Sequence, residues 1–300
     1  MTKVLAGVLG PVVTTFDDVT GDLAAVPFRA NLRAHLDAGM SGIVVAGSTG
    51  EAALLEEHER HRLLEWARAI VPDEKWLLAG VGAESTRLTI RRAREAAERG
   101  ADAVLVVAPH YYGGEMTPEA LATHFRHVAD ASPVPIILYN IPKYVHFSLA
   151  PGLVQELASH GNVVGIKDSS GDLAQLGVYL DAQSERFAVL TGSGAGLYAS
   201  LEMGARGGVL AVALFAAPVT VALCRAFASG DAGAAGRAQE RLVPLARTIV
   251  GQLGVPGVKA ALDLVGLAGG RVRSPLLPLR AAARERVSEL LRSAGLSRAA

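Results

Sequence analysis

Lysine is scarce in this chain, five residues against twenty-four arginines, and one of the five sits where a charge is unexpected. Lys167 closes the apolar run of "NVVGIKDSSGD" (162–172) and is followed at once by a polar loop. A strand-end lysine can carry its head to water along an apolar stem. Lysine also has a property that arginine lacks: burial can leave the amine neutral and nucleophilic. Such an amine forms imines with ketones and aldehydes. The protonated imine withdraws electrons from the neighbouring carbon–carbon bond, which can then break or form at neutral pH. That chemistry needs a proton shuttle, donors for the charged end of a substrate, and walls that exclude water.

Two other stretches carry suitable groups. Tyr139 in "LYNIP" ends another apolar run; a phenol titrates near ~10, and a neighbouring cation favours its ionised form and acid–base work. The bland alternative is a tyrosine that fills space with its hydroxyl paired. "GSTGE" (47–51) places Ser48 and Thr49 between glycines, in front of what reads as a helix. Glycines let a ligand approach the backbone, and helix-start N–H groups favour an anion such as a carboxylate. An ordinary capped turn would have the same sequence.

The elements that must position these residues are legible as a series of short apolar runs, roughly thirty residues apart. They span 7–16, 42–47, 76–82, 103–109, 135–140, 163–168, 187–192 and 207–213. Each is nearly continuous in Val, Ile, Leu and Ala, as expected of parallel strands buried on both faces. Helical patterns lie between them, such as "STRLTIRRAREAAERG" with Ser85 or Thr86 as cap and Gly100 as stop. "LDAGMSGIVVAG", "AERGADAVLVVAP" and "LEMGARGGVLAVA" repeat one order of helix end, glycine and strand, so Gly39, Gly100 and Gly204 belong in left-handed, helix-ending positions. Eight such units predict a (β/α)₈ TIM barrel over residues 1–217, followed by a C-terminal helical bundle over 218–300. A doubly wound open sheet is the rival. In a barrel the loops after the strands gather on one face, which brings Lys167 to a rim crowded with hydroxyls, glycines and tyrosines.

Bulk properties exclude other classes. Half of the residues are hydrophobic and the formal charge is zero, against the basic excess of a nucleic-acid binder. The single cysteine, Cys224, excludes a disulfide framework and fits a reducing compartment. The N-terminal apolar run is too short for a signal peptide or a membrane span, so a cytoplasmic location is expected. The glycines of "GSGAG" (192–196) do not make a dinucleotide fingerprint, because Leu197 stands where the third glycine belongs. "HERH" (58–61) and "HFRH" (124–127) read as solvated helix faces rather than metal ligands, as do the arginines of "RRARE".

Taken together and in this order, "GSTGE", "YNIP", "GIKDSSGD" and "TGSGAG" resemble the class I aldolase family of dihydrodipicolinate synthase and N-acetylneuraminate lyase, over nearly the whole chain. The resemblance implies a homotetramer acting on pyruvate or another 2-oxo acid with no metal or cofactor. It implies Lys167 as the Schiff-base lysine, Tyr139 as general acid/base, and Ser48 and Thr49 as the pair holding the pyruvyl carboxylate, with Ser48 also in a proton relay. It implies Tyr111, or Tyr112 beside it, as a relay tyrosine reaching a neighbouring subunit's site, Gly192 as a residue lining the lysine, and Val209 as an apolar wall. The dihydrodipicolinate synthases carry an arginine two residues beyond the proline of "YNIP", where it holds the second substrate's carboxylate; here that place is Tyr144, preceded by Lys143. Other stretches, such as "YYGGEMTPEAL" and "GVPGVKAALDLVGLAGG", resemble the 4-hydroxy-2-oxoglutarate aldolases. The expected reaction is cleavage of a 4-hydroxy-2-oxo acid to pyruvate and an aldehyde, with dihydrodipicolinate-type synthesis, N-acetylneuraminate cleavage, or keto-acid binding without turnover as alternatives. His146 is a candidate contact for the distal end of the substrate, or a solvated loop residue.

Overall fold

The eight apolar runs form eight parallel strands that close on themselves in chain order. In the computed structural model, which describes residues 3–296, these are β1 (Gly7–Pro11), β2 (Gly42–Val45), β3 (Trp76–Gly80), β4 (Ala103–Val107), β5 (Ile136–Asn140), β6 (Val163–Asp168), β7 (Ala188–Thr191) and β8 (Gly207–Val209). β8 pairs back onto β1, which rules out the open sheet. The intervening helices are α1 (Ala25–Asp37), α2 (Glu57–Arg68), α3 (Thr86–Glu98), α4 (Pro118–Ala131), α5 (Pro142–Val145), α6 (Pro151–Ala158), α7 (Leu173–Leu180) and α8 (Leu197–Glu202). The C-terminal part comprises α9 (Ala213–Ala228), α10 (Ala232–Pro244), a π-helical stretch (Leu245–Gln252), α11 (Gly254–Leu264) and α12 (Ala281–Ser293). Residue 218, where the sequence divides, falls inside α9, which packs on β1 and is kinked at Ala216. None of the described helices is long and apolar enough to cross a membrane.

Local sequence explains the punctuation. Gly39, Gly100 and Gly204 have φ of 94°, 82° and 108°, the left-handed conformation that stops a helix at little cost only for glycine. The Ser85 hydroxyl accepts from the Leu88 N–H and caps α3. The histidine faces meet expectation only in part: His58 and His127 are exposed, as are Arg91 and Arg94, but their neighbours turn inward. His124 is buried, with Nδ1 2.9 Å from the Thr86 hydroxyl, while His61 pairs with Glu95 at 3.0 Å. Arg92 of "RRARE" likewise turns inward to a bidentate pair with Glu57. Charged neighbours in sequence masked an inward-facing side of each helix.

Two apolar layers result. Ile43, Leu77, Val104, Leu138 and Ile166 point outward to the helices. Leu9, Val44, Leu78, Leu105, Ile137 and Leu190 fill the barrel. The alternation is interrupted once, between β5 and β6. Ile136 pairs with Val163 but Ile137 pairs with Gly165, leaving Val164 as an extra residue. Val163 and Ile166 both face the helices, three positions apart, whereas strict alternation would put them on opposite faces. The bulge therefore shifts the parity of everything after it. Lys167, which would otherwise point at the helices, points into the barrel beside Tyr139, its register partner.

Candidate active site

Lys167 and Tyr139 stand at the ends of adjacent strands, 6% and 5% exposed. The Lys167 Nζ lies 4.0 Å from the centroid of the Tyr139 ring, close enough for a cation to be held by the ring face. One residue further on, a second cross-strand pair fixes both strand ends. Asn140 donates from Nδ2 to Asp168 Oδ1 at 2.7 Å and accepts from the Leu149 N–H at 3.0 Å. Asp168 also accepts from the Ser170 N–H and hydroxyl at 3.1 and 2.7 Å. Burial raises its carboxyl above the usual range, against these donors. Asn140 and Asp168 went unremarked in the sequence, although a polar pair one step beyond the lysine and tyrosine of adjacent strands is a usable signal.

Ser48 and Thr49 share the same cavity. They begin a turn of 3-10 helix (Ser48–Gly50), and α2 starts only at Glu57, so the loop is longer than the direct helix start that the sequence suggested. The loop is strained at both flanks: Ala46 and Glu51 have φ of 52° and 59°, a region that costs a non-glycine residue about 1–2 kcal/mol. Its shape is held from several sides. Thr14 donates to the Gly50 carbonyl at 2.6 Å, and Arg60 donates to the Ala52 carbonyl and, at 3.2 Å, to that of Gly80.

Glu51, the last residue of "GSTGE", holds the C-terminal part against this loop. Its carboxylate approaches Lys259 Nζ of α11 to 2.5 Å, an ion pair without hydrogen-bond alignment, with both side chains almost fully enclosed. It also accepts from the Arg273 N–H at 2.7 Å. Lys259 donates to the Arg271 carbonyl at 2.6 Å and lies 4.6 Å from the centre of the Phe16 ring. Burial lowers its pKa below the ordinary lysine range, with Glu51 opposing. The Arg273 guanidinium donates to both oxygens of Glu59 at 2.5 and 2.6 Å. Two of the five lysines are thus buried, one at the strand end and one in this brace.

The remaining candidates divide. Gly192, Val209 and Tyr144 join Lys167, Tyr139, Ser48 and Thr49 in lining one open cavity of about 670 Å³. Gly192 is tight: a β-carbon there would stand 1.9 Å from Ser169 Oγ and 3.1 Å from Ser169 Cα, and its N–H donates to the Asp168 carbonyl at 2.5 Å. Tyr144 is half-exposed, and burial, together with Tyr139, raises its pKa. Tyr111 lies outside the cavity, 78% exposed, with its ring edge-on to Tyr112 at 5.0 Å. His146 is also outside: it ends α5 in a left-handed turn (φ 65°) with its side chain exposed. The tight turn after "YNIP" leaves it outside the lining of the cavity. The π-helical stretch supplies part of the wall through Ala246, Arg247, Val250 and Gln252, which the sequence did not single out. Among the described residues no cluster of three His, Cys, Asp or Glu side chains could hold a metal ion.

Comparison with known proteins identifies the frame. The profile of the "Dihydrodipicolinate synthetase family" matches residues 4–294. The chain belongs to this family. Among curated family members, 4-hydroxy-tetrahydrodipicolinate synthase of Methanothrix thermoacetophila is 36% identical, the match covering 91% of each chain. The protein of the same name from Methanoculleus marisnigri is 35% identical over 95% of this chain and 98% of its own. Among solved structures, dihydrodipicolinate synthase DapA-2 of Bacillus anthracis superimposes with a TM-score of 0.92 at 28% identity, covering 97% and 99% of the two chains. YagE, a prophage protein of the family from E. coli K12 solved with pyruvate, gives 0.91 at 30% identity, covering 98% and 99%. The chain is an enzyme of the Schiff-base, class I aldolase type that this family comprises.

Proposed function

We propose that Lys167 forms an imine with pyruvate and that the resulting enamine exchanges a carbon–carbon bond with an aldehyde. The observation that carries this reading is the enclosed amine 4.0 Å from the centre of the Tyr139 ring, at the floor of a cavity that also holds Ser48 and Thr49. Nζ adds to the C2 carbonyl and water leaves, giving a protonated imine. Loss of a C3 proton yields the enamine, whose C3 attacks the aldehyde carbon. Tyr139 protonates the alkoxide that forms, and water then adds to C2 and releases the 4-hydroxy-2-oxo acid. In reverse, Tyr139 takes the C4 hydroxyl proton, C3–C4 breaks, and pyruvate leaves after hydrolysis. Ser48 and Thr49 hold the pyruvyl carboxylate throughout, and Gly192 leaves room beside the amine.

The names of the family members favour the condensing direction, with 4-hydroxy-tetrahydrodipicolinate as product; removing pyruvate from that skeleton leaves aspartate β-semialdehyde as acceptor, whose amine, in place of water, adds to C2, displaces Lys167 and closes the ring. This replaces aldol cleavage, expected from the sequence, as the first reading. Cleavage of 4-hydroxy-2-oxoglutarate to pyruvate and glyoxylate is the second reading, favoured by Tyr144 at the place of the synthases' arginine. A bidentate guanidinium and one phenol are not equivalent. The exposure of Tyr111 outside its own cavity supports service in a neighbouring chain's site, in the homotetramer that the family resemblance implies.

Borohydride reduction in the presence of pyruvate, followed by intact mass and peptide mapping, tests the chemistry. A reduced pyruvyl adduct on Lys167, absent from Lys167→Ala, is the expected result. A folded protein that traps no pyruvate at excess overturns the reading and leaves a keto-acid-binding barrel. Parallel assays with aspartate semialdehyde and with 4-hydroxy-2-oxoglutarate then choose between the two directions.

A further inference from the structure

The cavity is charged in one direction only. Its described lining includes three cations, Lys143, Lys167 and Arg247, and no carboxylate. A single carboxylate beside Ser48 and Thr49 answers one of these charges, and protonated imine formation keeps the charge at Lys167. Lys143 is already engaged: its Nζ donates to the Gly251 carbonyl at 2.8 Å and lies 5.6 Å from the centre of the Tyr144 ring. The Arg247 guanidinium makes no ion pair or hydrogen bond to any described residue.

Arg247 is carried on the π-helical stretch, an unusual backbone that concentrates at functional sites. The stretch is anchored over the cavity. A β-carbon built on Gly194 would stand 3.3 Å from the Ala246 methyl, so the two segments are in contact. Below it, Gln239 of α10 donates to the Gly194 and Ala195 carbonyls at 3.0 and 3.1 Å and accepts from the Tyr198 N–H at 2.8 Å. Lys143 ties the other end through Gly251. The result is a fixed wall presenting one uncommitted guanidinium to a cavity much larger than a three-carbon acid.

We propose that Arg247 is a specificity-determining residue that binds the distal carboxylate of the second substrate, from the C-terminal wall that Lys143 ties to the loop bearing Tyr144. The aldehyde partner is then itself a carboxylic acid, and the five-carbon or longer skeleton joined to Lys167 is a dicarboxylate. The orientation of the ligand, with its 2-oxo end at Lys167, rests on the Schiff-base reading above; the preference for a second carboxylate does not.

Calorimetric titration with 2-oxoglutarate and with 2-oxopentanoate, which differ only in the terminal carboxylate, reads this directly. Arg247 is exposed, so the wild type should bind the dicarboxylate more tightly by about two- to fivefold, the range of a solvent-screened ion pair. Arg247→Gln should remove that preference and leave 2-oxopentanoate binding and pyruvate trapping unchanged, and Arg247→Lys should restore part of it. Equal binding of the two acids by the wild type, or a preference that survives Arg247→Gln, overturns the proposal. Failure of pyruvate trapping is a separate result: it removes the Schiff base, while the calorimetric comparison still decides on Arg247.

Discussion

Replacing Lys259 by methionine should destabilise the protein far more than replacing both members of its ion pair. Lys259→Met keeps most of the apolar stem but strands the Glu51 carboxylate, whose side chain is fully enclosed and whose one remaining donor is the Arg273 N–H at 2.7 Å. Breaking a buried pair from one side costs about 3–5 kcal/mol, mostly for the uncompensated charge. Glu51→Gln is milder, because Lys259 keeps the Arg271 carbonyl and the Phe16 ring and the amide can still accept from Arg273. The double variant holds no orphaned charge and should lose only about 1–2 kcal/mol. The cycle is therefore expected to be non-additive by at least about 2 kcal/mol. Denaturant unfolding measures it, and Lys259→Met should also lower the melting temperature by roughly 5–8 °C. Glu51 is two residues from Thr49 and left-handed, so the single variant should also raise the pyruvate concentration needed for half-maximal trapping. Additive losses, each below about 1 kcal/mol, would refute the argument that this pair braces the loop.

Further outcomes follow from the site and its surroundings. Tyr139→Phe keeps the ring against Lys167 but removes the acid, so pyruvate trapping should persist while turnover with aldehyde falls by about 10²- to 10⁴-fold. Gly192→Ala sets a methyl 1.9 Å from Ser169 Oγ, two residues from Lys167; adduct formation in borohydride should slow by more than about tenfold. Burial holds His35 and His124 down to about 4 each. The folded state stays neutral there between pH 6.5 and 4, while the unfolded chain takes up protons, so stability falls as the pH drops through that window. Each histidine can contribute up to about 3 kcal/mol of that loss. Unfolding at pH 5 and 7.5 should show a smaller pH dependence for His35→Gln than for the wild type.

The barrel was legible because its strands are buried on both faces and read as continuous apolar runs, three of them preceded by a helix-stopping glycine, Gly39, Gly100 or Gly204. The same continuity hid the bulge, since a run without alternation carries no parity. Lys167 and Tyr139 could be found because they end such runs. Arg92 could not be placed, because α3 has few large apolar residues to mark its inward face, whereas His124 lies on the stripe of Leu121, Phe125 and Val128 and was hidden only by its charged neighbours. Glu51 and Lys259 are separated by two hundred residues, and only the packing of α11 against the 3-10 turn joins them. Nothing local distinguishes the π-helical stretch from an α-helix, and with it went Arg247. His146 takes a left-handed conformation after "PKYV", a turn that the sequence does not announce because few non-glycine residues adopt it.

Val164 makes the location of the amine a matter of odd and even. Deleting a single residue ahead of Gly165 would preserve the composition, length class and hydrophobicity of β6, yet would turn Lys167 out among the helices and bring Ile166 inward. Such a protein could retain every recognisable motif and have an inert centre. In recombining barrels of this type, the transplantable unit is accordingly the β5–β6 pair with its mismatch intact, and a one-residue gap in an alignment of β6 marks a change of face rather than a neutral indel.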